Sequence, residues 1–260
     1  MSNRFRTRFL VVGTYRSGTS AIVEAIGRHP RILCGMEWTH QLPMWRKIAV
    51  GKAALAGDFS GLLPKNAEQV RTAWTPQQSV IGFKRLFRSS DKWLLHPRLA
   101  PALAVDRLEA HLKWAQSDPA LRIIHVVRQD NVAWLKSKAL ADATGRFSGA
   151  RYPDDVELTL SPHEAHKRVA TKLWIDGRLA SLSVTNPYLR LNHEEFLNDN
   201  LATAARLVTF LGCDPSELPA IELRHQPQSR ASSATLKNVE EIRTALGIRA
   251  RLVSDTRTAS

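Results

Sequence analysis

The sequence predicts an α/β fold, a single domain whose parallel sheet is flanked by helices on both faces. Three observations carry that expectation. Short, continuous apolar runs such as residues 7–12 (TRFLVV) and 121–127 (LRIIHVV) read as strands buried on two sides. Stretches with helical spacing alternate with those runs. The chemically distinctive residues fall just after the runs, at the carboxyl ends of the expected strands, where sheets of this kind bind their ligands.

Taken in order, residues 7–12 are the first strand. Residues 18–28 (GTSAIVEAIGR) follow as a helix with Ile22, Ala25 and Ile26 on one face, stopped by His29-Pro30. Residues 31–34 (RILC) make a second short strand, 40–56 a helix, and 57–66 a Gly/Pro/Ser loop. Residues 79–84 (SVIGFK) are a strand that ends on Lys84. Residues 98–116 form an amphipathic helix with Leu103, Leu108, Leu112 and Ala115 as core contacts. The strand at 121–127 leads into a helix at 130–142. Residues 145–160 read as a long, partly mobile loop, 162–182 as a helix, 187–192 (PYLRLN) as the last strand, and 199–211 as a helix closed by Gly212. The domain is expected to occupy residues 1–249, with 250–260 a disordered tail.

Composition narrows the class. The chain has 260 residues, 43% of them apolar, and no stretch as long as a membrane span. The apolar run after Arg4, Arg6 and Arg8 is too short for a signal peptide, so the expected location is the cytoplasm. Cys34 and Cys213 form no CxxC and have no metal-ligand spacing around them, so both are expected to be buried, reduced residues, and no metal site is expected. With 37 basic against 24 acidic residues the net charge is +13, a field that draws in anions. Aromatic-interleaved basic patches of a single-strand nucleic-acid binder are not evident.

The most informative segment is GTYRSGTS, residues 13–20, between the first strand and first helix. Its glycines permit a tight turn, and N–H groups at a helix start point toward an anion, so the fold is expected to be P-loop-like. A nucleotide triphosphatase needs Lys after the second glycine; here Gly18 is followed by Thr19 and Ser20, and the cation, Arg16, lies inside the loop. A Walker-B Asp is missing as well, because the strand at 121–127 ends in Arg128. A planar Arg fork suits an oxyanion. The second informative segment is residues 122–147, where Arg128 closes a strand and Ser137 follows nine residues later in a helix; together they form a candidate phosphate clamp.

FLVVGTYRSGTSAIVEAIGRHPRI resembles the 5′-phosphosulfate loop of the PAPS-dependent sulfotransferases, where PAPS is 3′-phosphoadenosine-5′-phosphosulfate. Tyr15 stands where that family usually has Pro. The resemblance assigns Arg16, Ser17, Gly18, Thr19 and Ser20 to the 5′-phosphosulfate. The strand-end Arg128 and Ser137 are similar to the family's 3′-phosphate site, and Ser137…Ala141…Thr144-Gly145 with Phe147 is similar to a pattern in bacterial members. In CGMEWTH, Glu37 lies 21 residues after Arg16 and is at the same offset as the catalytic Glu of the tyrosylprotein sulfotransferases. That resemblance implies Glu37 as the base, with His40 as the alternative. Met36 and Thr39 depart from that group, which has an acidic residue and an Arg there. Lys84 is similar in place to a family cation that contacts the transferring group. Residues 188–213 and 229–246 resemble the family's last strand and helix and its closing segment; the usual Tyr-Glu-Asp-Leu reads here as Asn192-His193-Glu194-Glu195-Phe196, and Arg230 and Lys237 are candidates to cover the cofactor.

The resemblance therefore implies in-line sulfuryl transfer from PAPS to an acceptor hydroxyl or amine, with release of PAP. The acceptor is expected to be a small molecule, lipid or carbohydrate, acidic ones included, and no stable nucleic-acid complex is expected. Two alternatives stay open: a P-loop kinase or NTPase with an altered Walker A, and a catalytically inactive basic nucleotide- or nucleic-acid-binding protein. Trp38, Trp45, Trp74 and Trp93 are candidate linings of an acceptor pocket or, equally, core residues. His125, inside a strand, is expected to be a core histidine.

Overall fold

The computed structural model of the chain describes residues 5–35, 44–56, 58, 68, 75–87, 100–146, 156–219 and 235–256. Five parallel strands form the main sheet: β1 (Thr7–Thr14), β2 (Ile32–Gly35), β3 (Val80–Phe87), β4 (Arg122–Val127) and β6 (Tyr188–Asn192), in the order β2-β3-β1-β4-β6. Their intervening helices are α1 (Thr19–Ile26), α2 (Met44–Leu55), α3 (Ala100–Gln116), α4 (Asn131–Thr144) and α5 (Pro162–Ala180). After β6 come α6 (His193–Asn198), α7 (Asn200–Phe210) and the last helix, α8 (Val239–Thr256). Two-residue strands β5 (Glu157–Leu158) and β7 (Thr235–Leu236) pair in parallel as a separate small sheet.

The sheet has two apolar faces, as continuous strand hydrophobicity requires. On one face Phe9, Val11, Val80, Ile124, Val126 and Leu191 pack against α1 and α7. On the other, Leu10, Val12, Ile81, Phe83 and Ile123 pack against α2, α3 and α5. Ile22, Ala25 and Ile26 are fully buried, and Leu108, Leu112 and Ala115 are nearly so, as the helical spacing predicts. A third cluster joins Trp134 and Leu135 of α4 to Ala165 and Val169 of α5 and Leu236 and Ile242.

Several boundaries differ from the sequence-based reading, each for a physical reason. β1 continues through Gly13 and Thr14 because both pair with β3, opposite Leu86 and Phe87. β3 therefore also runs on to Phe87, and Lys84 lies within it, opposite Val11, instead of ending it. The segment at 145–160 holds β5, tied to β7 by backbone bonds from Thr235 to Val156 and from Lys237 to Leu158. α8 carries on past residue 249, where the sequence reading starts a disordered tail. Cys213 is buried and Cys34 only half-buried; both are free thiols. Among the described residues no helix is long and apolar enough to cross a membrane.

Strand order sets the location of the ligand crevice. β1 is central; its own crossover runs out to β2 on one side, and the crossover from β3 passes to β4 on the other. The gap at the carboxyl ends of β1 and β4 is thus the topological switch point of the sheet. The packing beneath it is tight. Phe9 lies opposite Gly82, and a Cβ on Gly82 would approach the Phe9 ring to 2.5 Å. Gly82→Ala is expected to destabilise the fold by about 1–3 kcal/mol through overpacking, read as a lower urea midpoint at unchanged slope.

Candidate active site

The loop between β1 and α1 is built by a backbone conformation that only one non-glycine residue among the described ones adopts. Arg16 has φ 67°, in the left-handed region. Such a residue is strained by roughly 1–3 kcal/mol and persists only where its surroundings hold it. Gly18 follows at φ 90° and caps α1 without a side-chain bond. In the first turn of α1 the Ala21 N–H donates to the Gly18 carbonyl at 3.1 Å, and the N–H groups of Thr19 and Ser20 lie at the helix start, where no intrahelical acceptor is available.

Four contacts hold the turn. The Ser17 hydroxyl donates to the Thr14 carbonyl at 2.7 Å. The Trp134 indole N–H donates to the Tyr15 carbonyl at 2.7 Å. Arg16 Nε donates to Ser137 Oγ at 2.9 Å. Arg128 Nη1 donates to the Arg16 carbonyl at 3.4 Å. The loop is therefore fastened from α4 twice and from the end of β4 once. Ser17, Thr19 and Ser137 are buried, while Arg16, Gly18, Ser20 and Arg128 are partly open.

Lys84 enters from β3. Its aliphatic stem is covered, leaving the residue 6% exposed, and its ammonium donates to Ser20 Oγ at 2.8 Å. A lysine stem is long enough to reach the loop from inside the strand, which is why its mid-strand position still delivers a cation to α1. Burial pushes the neighbouring Cys34 thiol up, with Lys84 partly opposing.

Backbone approach at the loop is close. A Cβ on Gly13 would meet Ser17 Oγ and the Val126 carbonyl at 2.7 Å, and one on Gly18 would lie 2.1 Å from His193 Nδ1. His193, the first residue of α6, is thus wedged against Gly18. It is 7% exposed, and its Nδ1 has no hydrogen-bond partner among the described residues. Burial, then the Arg128 charge, and more weakly Arg16, push its imidazole down to about 4, against an opposing pull from Glu194. Sequence reasoning assigned residues 192–196 to the fold and missed His193 as a site residue. Its only local signal is a histidine that replaces the usual Tyr of the motif.

Glu194 has a different task. Its two carboxylate oxygens accept the backbone N–H groups of Gln129 and Asp130 at 3.1 Å each, so it fixes the turn that follows Arg128. Burial disfavours its charged form, but the N–H donors outweigh burial and hold the carboxyl below its ordinary value.

Other residues singled out from sequence lie elsewhere. Glu37, His40, Trp38, Trp74, Trp93 and Arg230 lie outside the described residues. Lys237, at the end of β7, pairs with Glu157 at 2.5 Å, and both side chains are largely exposed. His125 is 1% exposed within the core, as expected, with Nδ1 2.5 Å from the Tyr188 hydroxyl and Nε2 3.6 Å from Asp176.

A family model described as "Sulfotransferase family" matches residues 8–217. No curated protein sequence matches the chain. Among solved structures the chain is similar to a sulfotransferase from Alicyclobacillus acidocaldarius, at 14% identity and TM-score 0.47, covering 87% of this chain and 89% of that one. It is also similar to the sulfotransferase domain of the Synechococcus PCC 7002 olefin synthase (12%, TM-score 0.40, covering 92% and 88%). A sulfotransferase from Mycobacterium tuberculosis H37Rv matches at 13% and TM-score 0.40, covering 94% and 77%. These three likenesses are distant, and the family match is the finding that places the chain.

The Glu194 contacts generate a pH prediction. A carboxyl whose pKa is depressed in the folded state contributes stability above its unfolded value and loses it as pH falls through the folded value. Glu194→Gln is therefore expected to lower Tm at about pH 7, with the gap to wild type closing as the pH drops below about 4. A Tm difference that stays constant across that range counts against a charge-based role for Glu194.

Proposed function

The chain belongs to the sulfotransferase family, and from that premise we propose that it transfers the sulfuryl group of PAPS to an acceptor hydroxyl or amine and releases PAP. The observation that carries this reading is the contact between Arg16 and Ser137. It joins the loop after β1 to the Arg–Ser pair after β4, so two candidate anion sites share one crevice at the switch point.

The residues fit such a ligand. Gly13 and Gly18 leave no room for a side chain, because a Cβ would meet Ser17 Oγ and the Val126 carbonyl at the first and the His193 ring at the second, so the loop keeps its tight turn. Cations from three separate elements, Arg16, Lys84 and Arg128, surround it. In this reading PAPS, when bound, supplies the sulfuryl group and a phosphate leaving group. Ser17, Gly18, Thr19 and Ser20 hold its 5′ end through backbone N–H groups and hydroxyls, with Arg16 as the charged partner. Arg128 and Ser137 hold the 3′-phosphate, which separates PAPS from ATP and from adenosine-5′-phosphosulfate. Lys84, tethered to Ser20, stabilises negative charge that grows on the oxygens of the transferring group. Glu37 takes the acceptor's proton, with His40 as the alternative base. The acceptor is a small molecule, lipid or carbohydrate, and incubation of labelled PAPS with host extract identifies it by the product that gains label.

Two measurements test the assignment. PAP at about 100-fold over its Kd is expected to stabilise the protein by roughly 2.7 kcal/mol, and ATP with Mg²⁺ by much less. Preferential stabilisation by ATP-Mg²⁺ would overturn the reading. Within it, Arg128→Ala is expected to weaken PAP far more than adenosine-5′-phosphosulfate; equal losses would remove the 3′-phosphate role.

The base is tested separately. Glu37→Gln is expected to keep PAP affinity and lose roughly 10²–10⁴ in turnover. Undiminished turnover in that variant transfers the role to His40.

A further inference from the structure

Among the described residues, His193 is a buried titratable group at the crevice that the proposed transfer leaves unused. Its ring presses against Gly18, at the rim of the loop, and Nδ1 has no hydrogen-bond partner among the described residues. A buried nitrogen without a partner is costly unless a ligand completes it. The charged groups that face it are Arg16 from the loop, Arg128 from the end of β4 and Glu194 from its own helix. The carboxylate of Glu194 accepts the N–H groups of Gln129 and Asp130, the two residues after Arg128. The imidazole is buried, and the Arg128 and Arg16 charges act on it.

We propose that His193 is a proton-coupled oxyanion ligand: an anion held by Arg16 and Arg128 draws a proton from solvent onto the imidazole, so nucleotide binding takes up a proton. This deepens the reading of the loop as an oxyanion cradle and rests on it. The balance is simple. Neutral imidazole and a solvent proton become imidazolium, and no covalent bond of the ligand changes. The bound anion offsets the two arginine charges and gives the new N–H an acceptor. Both effects favour the charged ring. The low proton affinity of the free ring, reached near pH 4, keeps His193 neutral until an anion arrives.

The sign follows from linkage. A group that binds its proton more tightly in the complex than in the free protein makes ligand affinity rise as pH falls, through the interval between the two pKa values. PAP affinity is thus expected to strengthen from neutral toward acid pH, against the trend set by the ligand's own phosphate ionisation. His193→Asn removes the titration, keeps a polar atom near the Nδ1 position, and retains the ligand's own ionisation as background.

The experiment follows the His193 imidazole resonances by NMR across pH in the full-length protein, first alone, then with saturating PAP, then with saturating pyrophosphate. Absence of the peak in His193→Asn assigns it, and triple-resonance assignment serves if that variant does not fold. The expected result is a rise in the His193 midpoint of at least about one pH unit with either anion, a tenfold change in proton affinity. A matching calorimetric titration in buffers of different ionisation enthalpy is expected to show proton uptake in wild type beyond that in His193→Asn. If PAP binds and the His193 midpoint stays put, the proposal is overturned while the sulfotransfer reading stands. If PAP fails to bind and pyrophosphate still lifts the midpoint, the nucleotide reading fails and the proton-coupled oxyanion site stands. If PAP fails to bind and pyrophosphate leaves the midpoint in place, both fall.

Discussion

The crevice depends on a left-handed turn at Arg16 that the rest of the molecule keeps in place. A non-glycine residue does not rest at φ 67° unaided. Here the turn is locked through its own polar atoms: Ser137 accepts from its guanidinium, Arg128 donates to its carbonyl, and the Trp134 indole donates to the carbonyl before it. All three partners lie after β4 or on α4. The loop after β1 consequently has its shape only when β1 and β4 are paired and α4 is docked. Pairing of β1 with β4 and docking of α4 thus set the shape of the candidate site.

Beneath that turn the core is not purely apolar. Lys172 of α5, 1% exposed, pairs with Asp176 at 2.9 Å and places its ammonium 5.9 Å from the Trp134 ring centre. Asp176 in turn approaches His125, and His125 touches the Tyr188 hydroxyl. Burial pushes the Tyr188 phenol up to about 12, so it acts as a neutral hydrogen-bonding group. A buried ion pair is weak evidence for stability, but breaking one by removing a single partner is strongly destabilising. The chain from Tyr188 through His125, Asp176 and Lys172 ends at the tryptophan that holds the loop. It couples the second face of the sheet to the turn at Arg16 by contiguous contacts.

How much of this could be read in the sequence depends on the distance over which each feature is encoded. The sheet was legible because buried parallel strands are continuous apolar runs, and the loop was legible because strand, glycines, Arg16 and helix occur within a few residues. Arg128 and Ser137 were legible as a strand end and the helix after it. The wedge of His193 against Gly18 was not, because it joins chain segments far apart and leaves only a single substitution in a motif that otherwise reads as fold. β5 and β7 escaped notice because two residues have no periodicity to detect. The reach of β3 to Phe87 was hidden by Arg85, a charged residue in a strand whose backbone pairing, not its side-chain pattern, sets the length. The roles of Glu37, His40 and Arg230 stand on sequence resemblance alone.

Placement of the cations decides which ligand the loop suits. A lysine after the second glycine would leave the first turn of α1 toward a terminal phosphate; here that position is Thr19, 2% exposed and turned into the fold. Positive charge comes instead from Arg16 inside the loop, Lys84 beneath it and Arg128 beside it, each on a different element. Glu194, on α6, has both oxygens engaged by the backbone N–H groups of Gln129 and Asp130. The Arg128 charge and, more weakly, that of Arg16 also act on His193 and lower its proton affinity. In the proposed reading an oxyanion meets the guanidinium groups and the N–H groups at the start of α1, and allows the imidazole to charge. Under the proposed reading these three elements together suit a ligand that brings two or more negative charges, and the +13 field of the chain draws such a ligand in.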